Sequence, residues 1–376
     1  MSRNRVIAIG ATLCIALLAF FLLRGGAQAE DAAAGGAQKA EAVGATATAS
    51  GRGRPAASAG VAQGAKDSET PTEQGRVYVQ GAWGSGPDQF GRHNVPESNP
   101  EGPLTISVDS QGNTYVMDQV NGRILRFDKD GKPLEPFKVT QQAPHDVVPT
   151  SVGTTLVMDT TGDRSIAVLD KNGNLMGELP ITGKHLPEEE SGLASGVFAD
   201  AEGVYVEREH AKTFRVGDAA GTPDPARPLL DGRPSRDGTS LLSMGMVQAL
   251  QGRFWVRSKD RQTGQLKFMR EYTLPTPIMA LVFLDSDPTG RIYAAARVGR
   301  EQPINPADGG YGGGFVEQSV QVLCLEPTGK PRKVLALPAN TLAEESVRDL
   351  AVRDDGTVLY MLRSQEGMNI LQYSCN

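Results

Sequence analysis

The residues best suited to chemistry in this chain are three histidines, His93, His145 and His185, each just ahead of a strand-patterned stretch. Zinc takes imidazole and thiolate ligands at about 2.0 to 2.3 Å, so three convergent histidines could hold one ion. The chain has only 4 histidines, however, none beyond residue 210. His185 also neighbours the acidic Glu188-Glu-Glu190, and ordinary surface or turn histidines are the favoured reading. Asp128-Lys-Asp-Gly131, Asp170-Lys-Asn-Gly173, Asp285-Ser-Asp287 and Asp354-Asp-Gly356 suggest calcium, but lack the Asp-x-Asp-x-Asp-Gly spacing and the distal glutamate that wrap it. Each sits where a hairpin must turn, so turn chemistry is expected. Gly309-Gly-Tyr-Gly-Gly-Gly-Phe315 has the glycines of a phosphate loop without the Gly-Lys-Ser/Thr ending or the following helix. In Gly192-Leu-Ala-Ser-Gly196 the serine stands one place late for a nucleophile elbow. No catalytic or metal-binding residue is therefore assigned and no cofactor is expected, zinc or calcium being the alternative.

The elements that must position these residues are short strands. Asp109 to Asn113 reads as a turn, Thr114 to Asp118 as a strand, Val120 to Arg123 as a second turn and Ile124 to Asp128 as another strand ending in Asp130-Gly131. So small a sheet cannot bury its faces alone and must stack on copies of itself. The copies are present. Leu156-Val-Met-Asp159 answers Tyr115-Val-Met-Asp118, and Arg164 to Asp170 answers Arg123 to Asp128, an offset of roughly 40 residues, in the propeller range. Blades are expected over 102–142, 143–183, 193–231, 240–277 and 278–338, with a sixth opening at Ser346. That sixth blade runs out after three strands, and Arg76 to Trp83 can supply the fourth, closing the ring and removing its open edges. The fold class is all-β, a six-bladed β-propeller over 76–376. Trp83 and Trp255, both in strand patterns, are expected in the core.

Ahead of the propeller lie two unlike segments. Ser2 to Arg5 and the uncharged Val6 to Leu23 form a basic n-region and an apolar run just long enough to cross a bilayer. Cleavage after Ala27-Gln-Ala29 fits, as does an uncleaved anchor; the length of the run and Arg24 behind it favour the anchor. Residues 25–75, rich in Ala, Gly, Ser and Thr, offer no apolar periodicity and read as a disordered linker. Cys14 falls in the apolar run. An exported Cys324 and Cys375 could pair, but like positions in neighbouring blades are often too far apart for a disulfide, and two buried thiols are the favoured reading. The formal charge is −6 with no long basic block in the globular part, which argues against nucleic acid.

Trp83-Gly-Ser-Gly-Pro-Asp-Gln-Phe90, the strand after Pro100, Gly112 to Asp118 and Asn121 to Asp128 together resemble the NHL-repeat family of six-bladed propellers. The resemblance is strong in blade one, fair in blade two and fades to strand rhythm in blades three to five. It implies a binding platform more often than an enzyme, lyases and lactonases being the minority, and it implies that Gly112, Asp118, Asn121 and Arg123 are turn and packing residues. The fold does not assign an activity.

In such a ring the connectors carrying His93, His145 and His185 gather on one face, joined by the insertion Val298 to Phe315 between the second and third strands of blade five. Long loops on rigid scaffolds often bind partners, so His93, His145, His185, Tyr311 and Phe315 are the candidate binding residues. The expectation is a monomeric, periplasmic binding or scaffold protein, held to the membrane by its N-terminal segment and contacting a protein or envelope component. The alternative is a metal-dependent lyase or lactonase-type hydrolase at the channel mouth.

Overall fold

The computed structural model describes residues 73–94, 100–210, 212–301, 315–342 and 346–375. The expected anchor over Val6 to Leu23, the linker up to residue 72 and Tyr311 lie outside them. Among the described residues no helix is long and apolar enough to cross a membrane.

Twenty-four strands form six four-stranded antiparallel sheets among these residues. β1 (Arg76–Ala82) comes first in the chain and last in the ring. Blade one is β2 (Ile106–Val108), β3 (Thr114–Asp118), β4 (Arg123–Phe127) and β5 (Pro133–Lys138). Blade two is β6 (Pro144–Pro149), β7 (Thr155–Asp159), β8 (Ser165–Leu169) and β9 (Leu175–Pro180), and blade three is β10 (Ala194–Ala199), β11 (Val204–Arg208), β12 (Lys212–Gly217) and β13 (Leu229–Leu230). Blade four is β14 (Arg233–Pro234), β15 (Ser240–Gln248), β16 (Arg253–Asp260) and β17 (Leu266–Thr273); it starts earlier than the expected Ser240 because β14 pairs with β15. Blade five is β18 (Ile278–Ser286), β19 (Ile292–Glu301), β20 (Phe315–Leu325) and β21 (Pro331–Pro338). Blade six is β22 (Leu350–Val352), β23 (Thr357–Arg363) and β24 (Gly367–Ser374), with β1 paired to β24 as its outermost strand. The ring thus closes by joining the two ends of the propeller in one sheet, which leaves blade six no three-stranded edge. Val79 and Phe90 are buried in the blade six to blade one core, where Trp83 packs too.

Because neighbouring strands run antiparallel, the connectors between blades and the turns joining second to third strands fall at one end of the ring, here named the connector face. The remaining turns lie at the opposite end. The turns take the form the aspartates suggested. Asp109 accepts the amides of Gln111 and Asn113, Asp128 those of Asp130 and Lys132, Asp170 those of Asn172 and Asn174, and Asp287 those of Thr289 and Arg291. Carboxylates bound to their own backbone hold a turn.

Asp118, fully buried, accepts from Arg123 Nε at 2.8 Å, Asn121 Nδ2 at 2.9 Å and the Gly91 amide at 2.9 Å. Arg123 in turn donates to the carbonyls of Gly86 and Gln89. The motif residues of blade one thus fasten the 84–91 segment to the sheet.

Two expectations need correction. Cys324 and Cys375 form a disulfide with their Cα atoms 6.1 Å apart. They are not equivalent positions of adjacent blades: Cys324 faces blade six from β20, and Cys375 lies just past β24, where the chain end turns in against blade five. Trp255 is not core. It is half-buried, belongs to none of the apolar clusters, and lies over Gly245, where an added Cβ would sit 2.6 Å from the indole.

Candidate functional site

Apolar side chains fill five of the six seams between blades. Tyr115 and Met117 of blade one meet Val147 and Val157 of blade two, and Leu156 and Met158 of blade two meet Val197 and Phe214 of blade three. Phe254 and Val256 meet Leu284 and Ala294 across the seam from blade four to five. Val322 and Leu335 meet Val358 and Tyr360 from five to six, and Leu359 and Met361 meet Ile106 and Leu125 from six to one. Among the described residues no such cluster joins blade three to blade four.

That seam is held by charge. Where blades one, two and six direct the buried Met117, Met158 and Met361 at the next blade, blade three directs Glu207. Glu207 Oε1 faces Arg233 Nη2 of blade four at 3.6 Å. The Arg233 guanidinium lies 3.7 Å from the centre of the Phe198 ring and donates onward to the Leu284 carbonyl of blade five. Nearer the opposite face, Arg261 reaches back to Asp200 at 2.6 Å, Glu202 at 2.9 Å and the Tyr205 hydroxyl at 2.8 Å.

A cavity of about 50 Å³ opens at the inner end of this seam, lined by Ser195, Phe198, Glu207, His210, Arg233 and Arg348 among others. Arg348, just ahead of blade six, reaches past the Ile106 carbonyl of blade one to Asp146 of blade two at 2.6 Å, and Asp146 also accepts the Val197 amide of blade three. The two arginines are therefore engaged in joining blades. The arrangement that joining alone does not require is Ser195, Glu207 and His210. Glu207 Oε2 accepts from Ser195 Oγ at 3.0 Å and lies 3.0 Å from His210 Nδ1, while Ser195 Oγ accepts the His210 amide at 3.0 Å. Burial opposes the charge on Glu207, yet Arg233, His210 and Ser195 outweigh it and hold the carboxyl down at about 2. An ionised carboxylate can only accept, so His210 carries its proton on Nδ1 when neutral and keeps Nε2 as an acceptor. The imidazole is 63% exposed, so that acceptor is within reach of a ligand.

The backbone here is strained. Glu209 and His210 take φ of 53° and 54° in the turn between β11 and β12, a left-handed conformation that costs a residue other than glycine about 1 to 2 kcal/mol. The turns at the same place in blades one and four end on Gly122 and Gly252 instead. Strain of this kind gathers at functional sites.

The sequence-derived candidates lie elsewhere. His93 pairs through its backbone with Glu101 and is half-exposed. His145 is the second residue of β6, and the His185 ring packs against Phe214 on the blade two side of blade three, 5.8 Å between centroids. None of the three lines the cavity. No group of three or more His, Cys, Asp or Glu among the described residues could hold a metal ion. Phe315 begins β20, its backbone paired with Glu301. Sequence reasoning weighed Ser195 only as a misplaced nucleophile and passed over Glu207 and His210, although the place of Glu207 against the aligned methionines was a usable signal.

No family model matches the chain, and no curated protein sequence does. Solved structures that resemble it include hydrazine synthase of Kuenenia stuttgartiensis, 16% identical, covering 71% of this chain and 80% of that one with a TM-score of 0.44. A streptogramin B lyase is 14% identical over 76% of this chain and 97% of that one, TM-score 0.38, and a calcium-binding regucalcin from Agrobacterium tumefaciens is 13% identical over 72% and 90%, TM-score 0.39. At these identities an activity does not transfer; the architecture common to the ring is that of a six-bladed all-β propeller.

Proposed function

We propose that this propeller is an extracytoplasmic binding module of NHL-like type, which receives a protein or cell-envelope component on its connector face, at the mouth of the cavity between blades three and four. The observation that carries this reading is the Ser195, Glu207 and His210 cluster: a fixed, outward-facing acceptor held by a buried carboxylate beside a strained turn, in the seam that no apolar cluster joins among the described residues. A cavity of about 50 Å³ accepts one side chain or a few waters, not a whole small-molecule substrate. β1 runs from the opposite face toward the connector face. A periplasmic location with an N-terminal anchor fits a module of this kind.

The test is affinity enrichment from a detergent-solubilised membrane fraction with the full chain, its His210→Ala variant and an Asp355→Lys control on the opposite face. Enrichment of a component by the parent and control, and its loss with His210→Ala, supports the reading. Equal enrichment by all three contradicts it.

A further inference from the structure

We infer, resting on the platform reading above, that the partner enters the connector face as an extended segment and takes the vacant place of the innermost strand of blade four, beside Met244 and Met246. In blades two, three and five the first strand, nearest the channel, pairs with the second along almost its whole length. In blade four the first strand, β14, has two residues and meets only Leu241 and Leu242 of the nine-residue β15. The chain enters this blade late, crossing β15 part-way along: a Cβ on Gly232 would sit 2.6 Å from the Leu242 carbonyl oxygen. Burial records the vacancy. The second strands of blades one and two are buried throughout, and that of blade three in all but its last residue. β15 is buried only from Ser240 to Leu242, half-buried to Gly245 and exposed from Met246 to Gln248.

The cavity of about 50 Å³ lies where the missing strand would run, between Ser195 and Phe198 of blade three, Met244 of β15 and Leu284 of blade five. Successive residues of a strand turn their backbone groups to alternate sides. Ser240 gives its carbonyl to the Ser235 amide on the inner side. Met244 and Met246 lie in the same phase and turn their amides and carbonyls to that side, where no strand among the described residues pairs with them. The register of β15 with β16 is regular as far as Met246, and a bulge at Val247 ends the edge.

The ring itself shows what such a place holds. The other blades fill it with an extended strand of mostly small and aliphatic residues, as in Ala194–Ala199 and the start of Ile278–Ser286. A strand satisfies the free backbone groups of the edge, and a lipid surface does not. Side chains of an added strand alternate between two walls. On one wall Phe198 and the His210 acceptor suit a small hydroxyl side chain. On the other, Leu284, Met244 and the 40% exposed Met246 suit an aliphatic one. The occupant is therefore a protein segment in which serine or threonine alternates with valine, isoleucine or leucine, continuous with the site at His210.

The probe is a fluorescent octapeptide alternating threonine and valine, compared by anisotropy on the full chain with the same sequence N-methylated throughout. The first should bind at least tenfold tighter than the second, and on binding the Met244 and Met246 amides should exchange hydrogen at least tenfold more slowly. Met246→Asp should weaken binding at least tenfold with an unchanged melting temperature. Equal binding of the two peptides, or binding that leaves both amides fast, overturns the inference. So does protection of both amides in the free chain, or a doubling of mass with concentration that Met246→Asp abolishes, because the place would then be filled by the chain itself or by a second copy. The two readings fail separately. No peptide binding, with enrichment of a membrane component that His210→Ala abolishes, overturns the added strand and keeps the platform. Peptide binding that protects both amides, with enrichment indifferent to His210→Ala, supports the added strand and overturns the platform.

Discussion

The seam between blades five and six and the seam between blades three and four solve the same packing problem with opposite chemistry. In the first, Val322, Leu335, Leu337, Val358 and Tyr360 exclude water and the Cys324–Cys375 disulfide fixes the chain end against blade five. In the second, Glu207, Arg233, Arg261 and Asp200 meet around a cavity, with Tyr205 buried beneath Arg261. Apolar burial stabilises in proportion to area and is indifferent to small shifts. Buried ion pairs gain little net stability, because desolvation offsets their attraction, but they fix geometry and are costly to break. The ring therefore draws stability from its apolar seams and places positioned polar groups in the seam between blades three and four.

The largest effect that sharpens this contrast is expected from Cys375→Ser. Closing a loop across 51 residues restricts the unfolded chain by about 4 kcal/mol, and urea unfolding should show most of that loss, as should reduced parent protein. Binding at the cavity mouth should not change. Next comes Arg233→Ala, which strands the Glu207 carboxylate and should cost about 3 kcal/mol. Adding Glu207→Gln should restore much of it, a coupling that a double-mutant cycle reads directly.

A smaller effect follows from acid. Burial would raise the Glu207 carboxyl, but Arg233, His210 and Ser195 hold it down at about 2, against an ordinary 4.5. The folded state thus binds the proton more weakly than the unfolded state. The contribution is fully present above about pH 4.5 and is lost as pH falls toward 2. Parent protein should lose stability through that window more steeply than Glu207→Gln. The smallest effect is His210→Gly. Relief of the left-handed strain opposes the lost hydrogen bond to Glu207, so the melting temperature should stay within the equivalent of about 1 kcal/mol, while capture of the partner at the connector face should fail.

Much of the ring was legible because its repeats carry their own punctuation. Asp118 with Asn121 and Arg123, and the Asp-x-x-Gly turns, specify local geometry that survives without knowledge of neighbours. Closure by Arg76 to Ala82 followed from counting strands. The site was harder to see. Whether Glu207 faces solvent or the next blade depends on contacts far apart in the chain, and Ser195 looked like a misplaced nucleophile because its partner is a carboxylate twelve residues on. His210 was only counted among the four histidines and given no role, although a turn closing on Glu209-His210 where blades one and four use glycine marks an unusual backbone. Trp255 misled for a related reason: its strand pattern implies burial only if a neighbouring blade covers it, and the two-residue β13 does not.

The central claim, that charge rather than apolar contact holds the seam between blades three and four, is tested most directly by hydrogen exchange of the full chain at low salt and at 1 M sodium chloride. At that ionic strength the screening length falls to about 3 Å. Amides of β11 and β15 should exchange faster in high salt, while those of β20 and β23 keep their protection. A uniform response across the ring, or a β11 that is insensitive to salt, would contradict the account.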